Sequence, residues 1–153
     1  MVNFKELEVA IQQITTNEEL TVSERLENIC AHLQSSVAHY DWVGFYFHHE
    51  EKPELHLKAF AGEPTDHTVI PFGKGICGQV AESKNNFIVP DVQAQDNYIA
   101  CSINVKSEIV VPLFVDGKNI GQIDIDSNTI DAFDKKDEQF LELVNRMVAS
   151  ILA

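Results

Sequence analysis

Residues 71–127 read PFGKGICGQVAESKNNFIVPDVQAQDNYIACSINVKSEIVVPLFVDGKNIGQIDIDS. Within them, Ser107 to Val115 and Ile120 to Asp126 are rich in β-branched residues and flank Asp116-Gly117, a pair that favours a β-hairpin. Lys118 and Asn119 make the expected connection longer than two residues. In an extended strand, residues two apart share a face, so Asp124 and Asp126 point one way while Ile123 and Ile125 point the other. Two like charges on one face repel and bury poorly. That face therefore meets open water or forms a site that uses the charges.

Working outward, Gly73, Gly75 and Gly78 ease the entry to a short helix over 75–83, and Phe87 to Val89 form a short strand ended by Pro90. Asp91 to Asn97 carry turn formers without a period, which marks a loop. Upstream, Phe4, Leu7, Ile11 and Ile14 recur at helical spacing behind a capping Asn3, and Thr21 with Glu24 has the form of a capping box. Leu26, Ile29, Cys30, Leu33 and Val37 then make the apolar face of a second helix. Trp42 to Phe47 and the alternating Leu55, Leu57 and Ala59 pair around a turn at Pro53. A long C-terminal helix begins near Asp134, its face formed by Phe140, Leu143, Val144, Met147, Val148 and Ile151. This order predicts one α+β domain over residues 1–153: an antiparallel sheet with the terminal helices on one face and the short helix and loops across the other.

The formal charge of −13 repels phosphate backbones, and the lysines and arginines form no stripe, so nucleic acid is excluded as a partner. No apolar run approaches the length that spans a bilayer, and the first residues lack the basic start and apolar block of a signal peptide. No membrane association and a cytoplasmic location are expected. Three scattered cysteines make no disulfide framework; in a reducing compartment each is a buried apolar group or a reagent. Cys30, on a helix face, reads as a buried apolar group.

Cys77, in the glycine-rich turn, and Cys101, in the polar loop, can form a pair in which one thiolate attacks and the other later forms a disulfide with it. Cys101 is the better placed to attack, and a helix N-terminus would favour the thiolate of Cys77 as well. Glu108, Asp124 and Asp126 add an anionic wall in which one carboxyl keeps its proton for a leaving oxygen while the others grip an ammonium group. Trp42 and Tyr46, on one strand face, read as core or as a half-exposed aromatic wall that suits a small apolar tail. His67, Cys77, Cys101 and an aspartate match no compact zinc pattern, so no metal is expected.

The segments WVGFY at 42–46, IPFGKGICG at 70–78, IACSINVKSEIVVP at 99–112 and GQIDIDS at 121–127 resemble, in order and spacing, the free methionine-(R)-sulfoxide reductases, a branch of the GAF-domain superfamily. The resemblance implies a GAF-like antiparallel sheet, a dimer, and reduction of free methionine-(R)-sulfoxide with electrons from thioredoxin and no bound cofactor. It implies that Cys101 is the nucleophile that leaves methionine and a sulfenic acid. Glu108, Asp124 and Asp126 would hold the sulfoxide oxygen and the amino group, Trp42 and Tyr46 the side chain, and Cys77 would resolve the sulfenic acid. The chain departs from the family at His67, where a further and often principal resolving cysteine is common. It departs again at Asn97-Tyr98 and Ser102, where the family tends to have Gly-His and Asp. The alternative to an enzyme is a GAF module that binds an amino-acid-like molecule or senses redox state without turnover.

Overall fold

The computed structural model describes residues 2–96, 98 and 104–153. Cys101, Asn97 and Ser102 therefore lie outside the described residues. Helix α1 (Phe4–Thr15) starts where the Asn3 side chain accepts a hydrogen bond from Glu6 N, and α2 (Val22–Ser36) starts at the reciprocal Thr21–Glu24 capping box. Each such cap satisfies backbone donors that the first helical turn leaves without partners, and contributes about 1 kcal/mol. There follow β1 (Trp42–His48), β2 (Glu54–Ala61), β3 (Val69–Pro71), α3 (Gly75–Ser83), β4 (Phe87–Val89), a single 3-10 turn at Val92–Ala94, β5 (Ser107–Val115), β6 (Lys118–Ser127) and α4 (Lys135–Leu152). Among the described residues no helix is long and apolar enough to cross a membrane.

The strands form one sheet in the order β3-β2-β1-β6-β5-β4, and every neighbouring pair is antiparallel. On one face Val43, Phe45, Ile109, Val111, Ile123 and Ile125 meet Leu7 and Ile11 of α1, Ile29 and Leu33 of α2, and Leu141, Val144 and Val148 of α4. Cys30 is buried in this layer, as expected of a small apolar group. Each fully buried aliphatic side chain contributes roughly 1.5–3 kcal/mol, and a one-residue slip of β6 would bring two aspartates into this layer. The opposite face carries Trp42, Tyr46, Val110 and the apolar residues of α3, Ile76, Cys77, Val80 and Ala81. The α+β architecture, with terminal helices on one side and the short helix on the other, is the one expected.

Two features differ from expectation. The β5–β6 connection has only two residues, because Lys118 already pairs with Val115. Asp116 and Gly117 adopt φ of 51° and 79°, the left-handed pair that a tight hairpin needs. The surplus residue is taken up farther along: Leu113 pairs with Gly121 and Phe114 with Asn119, so Ile120 sits in a bulge. The buried amide of Asn119 donates to Leu113 O at 3.0 Å and Gly121 O at 2.8 Å, which serves the carbonyls around the bulge. The second difference is β3, a three-residue edge strand at Val69–Pro71, a stretch to which the sequence reading assigns no element.

Candidate active site

Pairing register builds the site. Trp42 lies opposite Asp126 and Asp126 opposite Glu108; in the next row that shares their face, Gly44 lies opposite Asp124 and Asp124 opposite Val110. In an antiparallel ladder opposed side chains share a face about 4.5–5.5 Å apart, so the three acids and the indole form one patch. The patch is roofed by α3. Its Cys77 Sγ lies 3.8 Å from Glu108 Oε2, and the main-chain carbonyl of Cys77 accepts a hydrogen bond from Gln122 Nε2 at 3.0 Å. Gly78 lets α3 pack against its own entry turn, since a Cβ there would lie 2.7 Å from Pro71 O and 3.0 Å from Gly73 N.

The acids do not face open water, since Glu108, Asp124 and Asp126 are 6%, 2% and 2% exposed. Burial pushes the proton affinity of Asp124 up, partly offset by hydrogen bonds with Glu108 and Cys77. Asp126 is held well above the usual carboxylate range, first by burial and then by the charge of Asp124. Three carboxyl groups shielded from water on one patch disfavour full ionisation, which favours keeping a proton within the trio. Asp124 Oδ1 and Asp126 Oδ1 are both fully shielded and have no hydrogen-bond partner among the described residues. The patch thus holds a proton to give and two oxygens that await a donor or a cation.

Cys77 departs from its expected electrostatics. Burial raises its thiol well above the ordinary value, and the charges of Asp124, Glu108 and Asp126 raise it further. These effects outweigh the N-terminus of a nine-residue helix that would favour the thiolate. As described, Cys77 is a protonated thiol within an acidic cage.

Trp42 and Tyr46 share one face, with ring centroids 6.3 Å apart, and both are buried rather than half-exposed. Trp42 Nε1 donates to Glu63 O at 3.0 Å and Tyr46 OH donates to His67 O at 2.8 Å. The two rings thereby pin the 62–68 loop over the patch. A cavity of about 120 Å³ lies beside the indole, between Asp126, Asp41, Glu63 and Thr65 on one side and Asn104 and Val105 on the other. A second, of about 20 Å³, lies between Tyr46, Cys77, Glu108 and Asp124, with His67 at its wall. Sequence reasoning missed Asp41, Glu63, Asn104 and Val105. Nothing in their local pattern separates them from ordinary turn residues.

The structure therefore brings together Trp42, Tyr46, Cys77, Glu108, Asp124 and Asp126, whereas Cys101 lies outside the described residues. The cluster of potential metal ligands among the described residues is Cys77, Glu108 and Asp124, without the histidine of the four-ligand set weighed from sequence. Such an arrangement suits a small ligand with a polar, basic group and a short apolar tail. The protonated acids can donate to an oxygen, and the indole can cover the tail.

The chain matches the GAF domain family model over residues 19–153. It is 43% identical over 110 residues to the free methionine-R-sulfoxide reductase of Saccharomyces cerevisiae, covering 71% of this chain and 61% of that protein. It is 35% identical over 128 residues to the enzyme of the same name from Escherichia coli, covering 84% of this chain and 76% of that protein. The X-ray structure of free methionine-R-sulfoxide reductase from Neisseria meningitidis in complex with its substrate superimposes with a TM-score of 0.90 at 36% identity, covering 97% of this chain and 87% of that one.

Proposed function

Because this chain belongs to the free methionine-R-sulfoxide reductase family of GAF domains, we propose that it reduces free L-methionine-(R)-sulfoxide to methionine. The observation that supports this reading best is the buried trio Glu108, Asp124 and Asp126, set in register beside Trp42 and roofed by Cys77. A sulfoxide oxygen is a strong acceptor, and a proton held within the trio suits it. The ionised remainder suits the ammonium group that distinguishes a free amino acid from a residue in a chain.

In the proposed reaction the thiolate of Cys101 attacks the sulfoxide sulfur while a carboxyl of the trio protonates the oxygen. The S–O bond then breaks, and its oxygen leaves with Cys101 as a sulfenic acid, releasing methionine. Cys101 is three residues before Asn104, which lines the larger cavity. Cys77 gives up its proton and attacks the sulfenic sulfur, forming a disulfide and water. An external dithiol, taken to be thioredoxin, reopens the disulfide. Because the cage holds Cys77 protonated, its attack requires that an acid first take the thiol proton. The trio then serves as acid in the first half and as base in the second. No bound cofactor, a homodimeric assembly and a cytoplasmic location belong to the same proposal and rest on the family resemblance.

The competing reading, a ligand-binding module without turnover, draws its support from that protonated Cys77 and from histidine at position 67. Stoichiometric reduction of free R and S methionine sulfoxide by pre-reduced protein separates the two. The enzyme yields methionine from the R epimer alone, and Cys101→Ser abolishes it. In Cys77→Ser the first turnover persists while multiple turnover with thioredoxin is lost. Methionine from neither epimer, with the fold intact, would leave the binding module as the function.

A further inference from the structure

Cys77, Glu108 and Asp124 come from α3, β5 and β6, yet each brings one potential ligand atom to within 4.8 Å of the other two. All three side chains are buried, and Cys77 Sγ is 3.8 Å from Glu108 Oε2. The cavity of about 20 Å³ against them exceeds the roughly 10–15 Å³ that a single water needs, and it is too small for an organic ligand. Independently, Asp124, a wall of that cavity, is 2% exposed and has an oxygen with neither solvent nor, among the described residues, a hydrogen-bond partner. A cation satisfies such an oxygen without needing a donor.

From this juxtaposition we propose that Cys77, Glu108 and Asp124 form a zinc site, with three protein ligands and water in the fourth position. Zinc accepts thiolate sulfur at about 2.3 Å and carboxylate oxygen at about 2.0–2.2 Å, which places tetrahedral S···O neighbours roughly 3.5 Å apart. The 3.8 Å separation of Cys77 and Glu108 is within a few tenths of that, and small side-chain rotations close the remainder. Calcium and magnesium take oxygen alone and gain nothing from the sulfur, whereas the mixed thiolate and carboxylate set suits a borderline-soft ion. On binding, the thiol of Cys77 and any carboxyl proton on a ligating oxygen pass to solvent. If the reduction proposed above is correct, zinc also blocks it, because it occupies the same thiol and acids. The binding itself does not rest on that reading.

The test uses the full 153-residue chain, reduced with a phosphine, and two probes: Zn²⁺ by equilibrium dialysis and Co²⁺ by absorption spectroscopy. The expected result is one Zn²⁺ per chain and a near-ultraviolet thiolate-to-cobalt band. The band is present in wild type and Cys101→Ser and absent in Cys77→Ser, and Asp124→Asn and Glu108→Gln each weaken Zn²⁺ binding at least tenfold. Two carboxylate variants guard against one failing to fold, and circular dichroism scores each. Absence of the band, its survival in Cys77→Ser, or its loss in Cys101→Ser overturns the proposal. So does zinc bound without a band, as a histidine site on the 48–56 hairpin would give. A chain that, freed of metal, reduces neither sulfoxide epimer yet gives the band once Co²⁺ is added leaves the zinc site standing and sinks the reductase; a reductase without the band does the reverse.

Discussion

Replacing Gly44 with alanine tests whether the indole of Trp42 is held in place by the absence of a side chain beside it. A Cβ at Gly44 would lie 2.3 Å from Cη2 and 2.6 Å from Cζ3 of Trp42. Ordinary carbon contacts are about 3.5–4.0 Å, so the indole must move by about 1 Å or more. It cannot do so freely, because its Nε1 is bonded to Glu63 O and its ring stacks on Phe60 with centroids 5.9 Å apart. Overpacking of this kind costs about 1–3 kcal/mol, which for a chain of this size lowers Tm by roughly 4–8 °C at the middle of that range. The sign is informative, since glycine to alanine within a strand otherwise stabilises by about 0.5–1 kcal/mol. Displacing the indole also disturbs the proposed substrate pocket, so KM for free methionine-(R)-sulfoxide should rise about tenfold while the fold is kept. The assay is thermal unfolding with steady-state kinetics, repeated in a Trp42→Phe background, where the shorter ring relieves the clash. A Tm that is unchanged or raised, or strict additivity of the two substitutions, would show that the indole does not need the space above Gly44.

Three further outcomes are expected. Because burial raises the proton affinities of Asp124 and Asp126 in the folded state, the folded chain keeps protons that the unfolded chain releases; stability should fall as pH rises from about 4 through the raised values. Asp126→Asn should flatten that fall, and urea midpoints between about pH 5 and 8 with the same slope as wild type would contradict the burial argument. Tyr40→Phe removes a buried donor 2.6 Å from Asp137 Oδ1, in the network that also holds His39 at 3.3 Å and caps α4. Urea unfolding should show a loss of about 1–3 kcal/mol, and a change below about 0.5 kcal/mol would mean the hydrogen bond is replaced. Cys30 and Cys77, both buried with raised thiols, should label with a disulfide reagent only slowly until denaturant is added, and rapid labelling of the Cys101→Ser protein would refute this.

The helices and long strands were legible because their signals are local. Asn3, the Thr21–Glu24 box and Asp134 mark helix starts by side-chain chemistry alone, and β5 spans the residues whose composition predicts it. Strand β3 was not legible, since three residues offer no alternation and its last residue is a proline, tolerated only because β3 is an edge strand. The hairpin length was misjudged for a related reason. Lys118 and Asn119 are polar and read as loop, although Asn119 is buried as the partner of bulge carbonyls. The shared face of Asp124 and Asp126 follows from period two, but the opposition of Glu108 to Asp126 depends on hairpin register, which the misjudged turn length left undefined. The inversion of the thiolate argument at Cys77 is likewise non-local. The helix start is visible in the sequence, whereas the burial and three carboxylates that overrule it come from other segments.

Trp42 is the chain's sole tryptophan, and it stands opposite Asp126 in the ladder. Indole emission from this protein therefore originates from a single point, at the wall of the cavity and against a carboxyl whose protonation is set by the cage. Protonated carboxyl groups quench indoles better than carboxylates do, so the emission intensity of the native chain is itself a titration curve of the acidic patch. Occupation of the cavity, by an ammonium ligand or any other, registers on the same signal without a label.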